Sequence, residues 1–281
     1  MRRSKIIIAV AIIAAVSLIL VGLALSGAFS PKETRMVLTT TTSTQNSGLL
    51  DYILPTYESK YDIRVDVVAV GSGQALDIAK KCNADVVLSH APSLETPFVH
   101  DRYGLFRWQV MYNQFAIVGP SSDPAGVASA TNASSAFRKI ADNSSTFLSR
   151  ADNSGTNVKE LAIWASTGLD PDTFGAWYKK VGKGMEETLQ MATELQAYTL
   201  TDEATYFAIM PTISVVELFR SDTVLFNQYS VIPVNPDKCP NADIRHAALF
   251  AEWLVSPATL DLIASYQRNG HQLFYPNAIP P

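Results

Sequence analysis

The sequence predicts an α/β fold of two lobes, each built on a mostly parallel, doubly wound sheet. Apolar segments of strand length, rich in Val and Ile, alternate with segments of helical periodicity almost from end to end. That alternation is typical of parallel sheets covered by helices. A turn-rich break at residues 119–124 (GPSSDP) interrupts the pattern, and a second α/β stretch follows it.

The individual elements follow from the spacing of apolar residues. Five segments have the length and composition of strands: residues 36–40, 64–70, 84–90, 110–118 and 230–234. Helical spacing follows the first strand, where the apolar residues share one face: Leu49, Leu50, Ile53, Leu54 and Tyr57. A weaker helical pattern lies near residues 76–79. A short strand at 146–148 precedes a helix at 158–166, and two more helices are predicted at 242–256 and 257–266.

The order of these elements predicts how the chain is divided. We expect lobe 1 to comprise residues 34–117 plus 228–281, and lobe 2 to comprise residues 118–227. The chain then crosses between the lobes twice, near 113–119 and near 226–236. Two crossings form a hinge and leave a cleft, which is a common place for a ligand.

The N-terminal residues 1–28 predict export. Three basic residues precede an uncharged, mostly apolar run at 6–25, as in a secretion signal. Small residues at Ser26 and Ala28 favour cleavage after Ala28, but the run is also long enough to remain as a membrane anchor. Both fates place the rest of the chain outside the cytoplasm.

Charge and cysteine content narrow the function classes. The chain carries a net charge of −4, and loss of the basic N-terminus makes the remainder more acidic, which argues against nucleic acid and anionic membranes as partners. The two cysteines, Cys82 and Cys239, are bound for an oxidising compartment. They either form one disulfide or remain two unpaired, small apolar residues.

The threonine-rich segment 39–44 is the sharpest local signal. It follows a predicted strand and comes just before a helix that opens near Ser47. Free backbone N–H groups, the positive end of the helix dipole and neighbouring hydroxyls would together hold an anion there. The alternative is a threonine-rich edge strand with Ser47 as an ordinary helix cap.

A second segment, residues 149–156 (SRADNSGT), has matching chemistry. Arg150 supplies a permanent cation, Gly155 allows close approach of backbone, and Ser154 and Thr156 offer hydroxyls at a helix start. The alternative here is a surface pair of Arg150 with Asp152, with Ser154 as a cap. A third strand-to-helix turn at residues 70–74 (VGSGQ) adds Ser72, and helix starts that converge at sheet ends are where open α/β folds bind ligands.

Other chemistries have weaker support. The four histidines, His90, His100, His246 and His271, have no carboxylate or Cys at ligand spacing, so no metal site is expected. Ser154 as a nucleophile would make the chain an extracytoplasmic hydrolase, but the flanking residues supply no base. Asp202 and Glu203 are better explained as a helix start than as catalytic residues.

Several motifs together resemble the tungstate-binding proteins of ABC transporters, the Tup type. The resemblance covers about residues 39–277. The motifs that carry it are residues 40–44 (TTTST), 47–50 (SGLL), 70–76 (VGSGQAL), 84–86 (ADV), 90–92 (HAP), 111–113 (MYN), 118–120 (VGP), 150–156 (RADNSGT) and 197–202 (AYTLTD).

The resemblance implies a type II periplasmic-binding-protein fold that closes over tungstate or molybdate and docks on an ABC permease. It implies no enzyme activity and no cofactor, and we expect a monomer. Eight residues are expected to bind the anion: Thr41, Thr42, Ser43, Ser72, Arg150, Ser154, Gly155 and Thr156. One departure is that Glu203-Ala204 stands where the family pattern leads us to expect Arg-Gly. A membrane-tethered anion sensor is the alternative from another class.

Overall fold

Strands and helices alternate through the described part of the chain, residues 33–279 of a computed structural model. The predicted signal or anchor at residues 1–28 lies outside these residues. The strands are β1 Thr34–Thr41, β2 Ile63–Val70, β3 Val86–Ser89, β4 Trp108–Gly119, β5 Phe147–Ser149, β6 Tyr178–Lys180, β7 Tyr198–Asp202, β8 Val216–Phe219, β9 Phe226–Pro233, β10 Gln267–Arg268, β11 His271–Gln272 and β12 Tyr275–Pro276. The α-helices are α1 Thr42–Asn46, α2 Leu49–Tyr61, α3 Ser72–Lys80, α4 Pro92–His100, α5 Ala133–Asp142, α6 Gly155–Thr167, α7 Met185–Leu195, α8 Glu203–Ile209, α9 Ile244–Leu254 and α10 Pro257–Ser265.

The strands follow the order β2-β1-β3-β9-β4-β7-β5-β6, with β8 and β12 also paired to β4. Strands β1 and β3 are parallel, as are β5 and its neighbours β6 and β7. The pairs around β4 and β9 are antiparallel. The predicted α/β class is confirmed, while the antiparallel strands at the centre were not expected.

Strand β4 links two sheets. Its first half, up to Gln114, pairs with β9, and its second half, from Phe115, pairs with β7 and β8. Strand β9 begins at Phe226, directly opposite Gln114. The outgoing and returning chain segments are therefore hydrogen-bonded neighbours at the place where the strand path passes from one sheet to the other.

The hydrophobic core divides in the same way. Two clusters of buried side chains draw on the first sheet and on helices α2, α3, α4, α9 and α10, with Ala204 as an exception. Two others draw on β4 from Phe115 onward, on β5 and on helices α5, α6 and α7. Because the clusters separate in this way, we propose that lobe 1 comprises residues 34–117 plus 228–281 and that lobe 2 comprises residues 118–227.

The first helix pair shows how local sequence sets these elements. The five apolar residues predicted to share one face of α2 are all buried. Gly48 precedes α2 with a φ of 80°, a left-handed conformation that glycine adopts without strain. A Cβ atom at Gly48 would lie 2.5 Å from the Tyr266 hydroxyl, which donates a hydrogen bond to the Ser47 carbonyl. The turn thus anchors α1 and α2 to the C-terminal part of the chain.

Within residues 33–279, no single helix is long and apolar enough to cross a membrane. Helices α9 and α10 meet that criterion only as a pair, and they are bent by 63° at the break between them. Their buried apolar side chains, including Phe250 and Ile263, belong to the core of the first sheet.

Cys82 and Cys239 form a disulfide, with their Cα atoms 5.1 Å apart. Cys82 follows α3 and Cys239 follows β9, so the bond joins segments that are 157 residues apart in the chain. Of the two alternatives left open by the sequence, the structure shows the disulfide.

We expect the double variant Cys82→Ser, Cys239→Ser to be less stable than the wild type by about 2–5 kcal/mol, because the cross-link restricts the unfolded chain over a long loop. Denaturant unfolding with and without a thiol reductant measures this. The reductant should lower the stability of the wild type and leave the variant unchanged. Equal stability of the oxidised wild type and the variant would contradict the expectation.

Candidate functional site

The candidate site lies where parallel strands end. Strands β2, β1 and β3 are neighbours, and the chain leaves their carboxyl ends at Gly71, at Thr42 and at His90. In the other sheet, the carboxyl ends of β5 and β7 lead to Arg150 and to α8. Each of these strand ends brings polar groups and helix N–H donors to one edge of its sheet.

The threonine-rich segment passes directly from β1 into the short helix α1. Thr41 caps this helix: its Oγ1 accepts from the Thr44 amide at 3.2 Å and lies 2.6 Å from Thr44 Oγ1. Ser43 Oγ lies 3.2 Å from Thr41 Oγ1. Thr42 is partly exposed, whereas Thr41, Ser43 and Thr44 are buried. Because β1 runs between β2 and β3, the alternative of an edge strand is wrong.

Ser72 begins helix α3. The residue before it, Gly71, has no side chain with which to cap the first amides of the helix. Ser72 is fully buried, and its hydroxyl has no hydrogen-bond partner among the described residues. Since an unpartnered buried hydroxyl is costly, this group is suited to a ligand.

Arg150 is only 3% exposed, at the end of β5. Its Nη2 donates to Asp152 Oδ2 at 2.6 Å and its Nε donates to the Lys183 carbonyl at 3.3 Å. The ion pair with Asp152 named as an alternative is present, but the guanidinium lies in the interior and not at the surface. The N–H groups of Nη1 remain for a ligand.

Helix α6 begins three residues earlier than predicted, at Gly155. Ser154 caps it by accepting from the Asn157 amide at 3.2 Å, which leaves the Gly155 and Thr156 amides as open N–H donors. Thr156 Oγ1 is buried and has no hydrogen-bond partner in the described part of the chain. Thr156 and Ser72 thus carry comparable unpartnered hydroxyls on the two lobes.

A buried carboxylate holds this helix start against β5. Glu160 accepts from Tyr178 Oη at 2.6 Å, from Ser149 Oγ at 2.7 Å and from Trp164 Nε1 at 3.1 Å. Burial raises the pKa of Glu160, and the hydrogen bonds from Tyr178 and Ser149 oppose that rise. The network fixes the position of residues 149–156 relative to the strand that carries them.

The two lobes touch at three glycines of the site. A Cβ on Gly71 would lie 3.3 Å from the Asp152 carbonyl oxygen, and one on Gly73 would clash with the Asn153 side chain. A Cβ on Gly155 would lie 2.8 Å from His90 Cε1. Helix α1 also packs against α7 and α8. The first-lobe segments with Ser43 and Ser72 therefore face the second-lobe segment 150–156.

His90 is the residue of this region that sequence reasoning missed. Its Nε2 lies 3.4 Å from Ser43 Oγ, and its ring lies against Gly155. Residues 90–92 belong to a motif of the resemblance, but His90 was not among the predicted binding residues. Its position directly after β3, beside the threonine-rich segment that follows β1, is the signal that would have found it.

Asp202 and Glu203 have the structural roles expected of a helix start. Asp202 accepts from the Thr205 amide at 2.9 Å and from the Thr205 hydroxyl at 2.8 Å. Glu203 pairs with Arg220 at 2.9 Å beside a separate cavity of about 820 Å³, near the crossing strands β4 and β9. Burial raises the pKa of Glu203 to about 7, although the Arg220 charge opposes the shift.

The described residues contain no group of three or more His, Cys, Asp or Glu side chains that could hold a metal ion. Ser154 Oγ accepts from the Asn157 amide, and within residues 33–279 no acid or base side chain is hydrogen-bonded to it. The site therefore consists of hydroxyl, amide and guanidinium donors and one imidazole.

The chain is similar to known proteins of one superfamily. The sequence model of the PBP superfamily domain matches residues 28–258. The crystal structure of the tungstate ABC transporter from Geobacter sulfurreducens is similar, with a TM-score of 0.76 and 46% identity over 83% of this chain and 98% of that one.

Two tungstate-binding TupA proteins are also similar. The TupA of Peptoclostridium acidaminophilum is 44% identical over 247 residues, or 86% of each chain. The TupA structure from Desulfovibrio alaskensis G20 has a TM-score of 0.75 and 40% identity, over 88% of this chain and 100% of that one. The chain belongs to the PBP superfamily and, within it, to the TupA family.

We expect Gly155→Ala to weaken oxyanion binding about tenfold or more, because the added methyl group meets the His90 ring of the other lobe when the cleft is closed. The ring cannot move away easily, since it stacks on Tyr229 with centroids 4.6 Å apart. Calorimetric titration with a tetrahedral oxyanion measures the loss.

Gly175→Ala is the matched control, because its Cβ would make only ordinary contact with Trp177, at 3.6 Å. This control should bind as the wild type does. Wild-type affinity in Gly155→Ala would show that the lobes do not close on this contact.

Glu203→Gln should change how stability depends on pH. A carboxyl whose pKa rises from 4.5 to about 7 on folding favours the folded state when protonated. The wild type should therefore lose stability relative to the variant as pH rises through this interval, by about 3 kcal/mol in all. Denaturant unfolding across this pH range measures the difference.

Glu217→Gln serves as the control, because it removes the other carboxylate next to Arg220, at a more exposed position. It should follow the wild-type profile. If the difference in unfolding free energy between the wild type and Glu203→Gln did not change with pH, the raised pKa of Glu203 would be contradicted.

Proposed function

We propose that this chain captures tungstate between its two lobes and delivers it to an ABC permease. The observation that carries the proposal is the meeting of donor-rich segments from both lobes, marked by the contacts of Gly155 with His90 and of Gly71 with Asp152 and Ser154. The family supports the choice of anion, since its relatives are named as tungstate-binding proteins.

The donors fit a fully ionised tetrahedral oxyanion, which only accepts hydrogen bonds. We assign the binding role to the eight residues predicted from the sequence: Thr41, Thr42, Ser43, Ser72, Arg150, Ser154, Gly155 and Thr156. The unpartnered hydroxyls of Ser72 and Thr156 would each donate to an anion oxygen, and Arg150 would supply a full positive charge. Molybdate has the same charge and shape, and we propose that it binds at the same place.

Affinity would come from several donors acting together. Nanomolar binding needs about −12 kcal/mol, whereas one hydrogen bond to a charged group contributes roughly 1.5–3 kcal/mol. The donors of one lobe alone are too few to supply this free energy and also to offset the entropy that is lost on association. In the proposed mechanism the anion first meets one lobe, and the donors of the other lobe shift the population toward the closed form.

We further propose that the protein acts outside the cytoplasm as a monomer, with residues 1–28 as its export signal and residues 6–25 as its anchor where they are retained. The closed form would be the one that docks on the permease. Hydrolysis is not proposed, because the Ser154 hydroxyl caps α6.

Arg150→Ala should weaken tungstate binding about 100-fold or more, because it removes the cation that balances a buried dianion. Isothermal titration of purified residues 29–281 with sodium tungstate measures the change. Arg150→Lys should recover only part of the affinity, since an ammonium group lacks the planar set of donors.

Arg102→Ala is the control, because Arg102 pairs with Asp237 at an exposed position. It should leave affinity unchanged. Wild-type affinity in Arg150→Ala would remove this residue from the site.

A further inference from the structure

The imidazole of His90 lies between the two halves of the candidate site. It is 3% exposed and follows the carboxyl end of β3. Its Nε2 lies 3.4 Å from Ser43 Oγ of the first lobe, and a Cβ on Gly155 of the second lobe would lie 2.8 Å from Cε1, 2.9 Å from Nδ1 and 3.2 Å from Nε2. The ring therefore lies between candidate anion-binding segments of the two lobes.

The orientation of the ring is fixed by the crossing strands β4 and β9. His90 Nδ1 lies 2.9 Å from Asn227 Oδ1, on β9. Asn227 is oriented by its own Nδ2, which donates to Asn113 Oδ1 on β4 at 2.7 Å. Since Asn227 Oδ1 can only accept, Nδ1 carries a hydrogen, and the neutral ring then presents a lone pair at Nε2.

The charges around His90 come from several elements. Burial lowers its pKa, the carboxylates of Asp202 and Glu95 act in the opposite direction, and Arg150 lowers it further. Glu95 is itself paired with Arg107 at 2.6 Å. Burial is the largest of these influences on the pKa of His90, so the anion-free protein favours the neutral imidazole.

We propose that His90 is a ninth binding residue of the site, and that its Nε2 takes up a proton from solvent when the lobes close on the oxyanion. The proposal rests on the proposed function above. A lone pair directed toward a dianion is repulsive, whereas an N–H at the same position donates a charge-assisted hydrogen bond. Protonated His90 would add a second positive charge beside Arg150, whose own charge is shared with Asp152.

The proton balance follows from the chemistry of the ligand. A fully ionised oxyanion carries no hydrogen, so the proton at Nε2 comes from solution and returns to solution when the anion leaves. An anion that carries its own proton, such as hydrogen phosphate, would donate a hydrogen bond from its O–H to the lone pair of neutral Nε2, and its binding would need no proton uptake. The imidazole therefore links tungstate capture, and not capture of a protonated anion, to pH.

The direct test is isothermal titration of residues 29–281 with sodium tungstate at about pH 7.5, above the ordinary pKa of histidine, in HEPES and in Tris. These buffers absorb different amounts of heat when they lose a proton. We expect the observed heats to differ by an amount that corresponds to uptake of up to about one proton per anion bound. Identical heats in the two buffers would overturn the inference.

Two variants assign the proton to His90. His90→Gln keeps a side-chain donor but cannot titrate, so it should bind about tenfold more weakly and show no buffer dependence. His246→Gln is the control, because His246 pairs with Asp243 at the start of α9. It should keep the wild-type uptake, and undiminished uptake in His90→Gln would overturn the assignment.

The protonation of the imidazole can also be observed directly in the wild type. In ¹⁵N-histidine spectra, tungstate should shift one imidazole from the neutral to the doubly protonated pattern, and an unchanged set of signals would overturn the inference. If the wild type does not bind tungstate at all, the proposed function fails and this inference fails with it. Tight binding without proton uptake would instead leave the proposed function standing and exclude the role of His90.

Discussion

Anion binding depends on one physical constraint. The protein must replace the hydrogen bonds that the anion loses when it leaves water. An uncompensated buried charge is very costly, so the donors must be numerous and must surround the ligand. Here they belong to two lobes, and buried hydroxyls at Ser72 and Thr156 are without partners among the described residues. In the proposed mechanism, a ligand that only accepts hydrogen bonds would satisfy both lobes at once, and this would couple binding to closure.

The close approach of the lobes depends on small residues as much as on donors. Gly71, Gly73 and Gly155 each occupy a place where a Cβ would press on the other lobe. The ring of His90 is held from behind by Asn227 and Tyr229, so it forms a rigid surface against which the start of α6 closes. The crossing strands, which supply Asn113 and Asn227, are thereby connected to the site.

Much of the candidate site could be proposed from the sequence because its chemistry is local. A run of hydroxyl residues, or an Arg followed by Ser-Gly-Thr, signals a helix start within a few positions, and the α/β alternation places such starts at sheet ends. His90, Asn113 and Asn227 could not be found in this way, because their proximity requires β3, β9 and β4 to be adjacent. The pairing of Cys82 with Cys239 and of Glu203 with Arg220 likewise depends on contacts between distant segments.

The most direct test of the central claim is a crystal structure of the protein with tungstate, in which the anomalous signal of tungsten locates the anion. The account predicts one peak between the lobes, within hydrogen-bonding distance of Ser43 or Ser72 on one side and of Arg150 or Thr156 on the other. A peak bound by one lobe only, or one in the cavity beside Glu203 and Arg220, would contradict it.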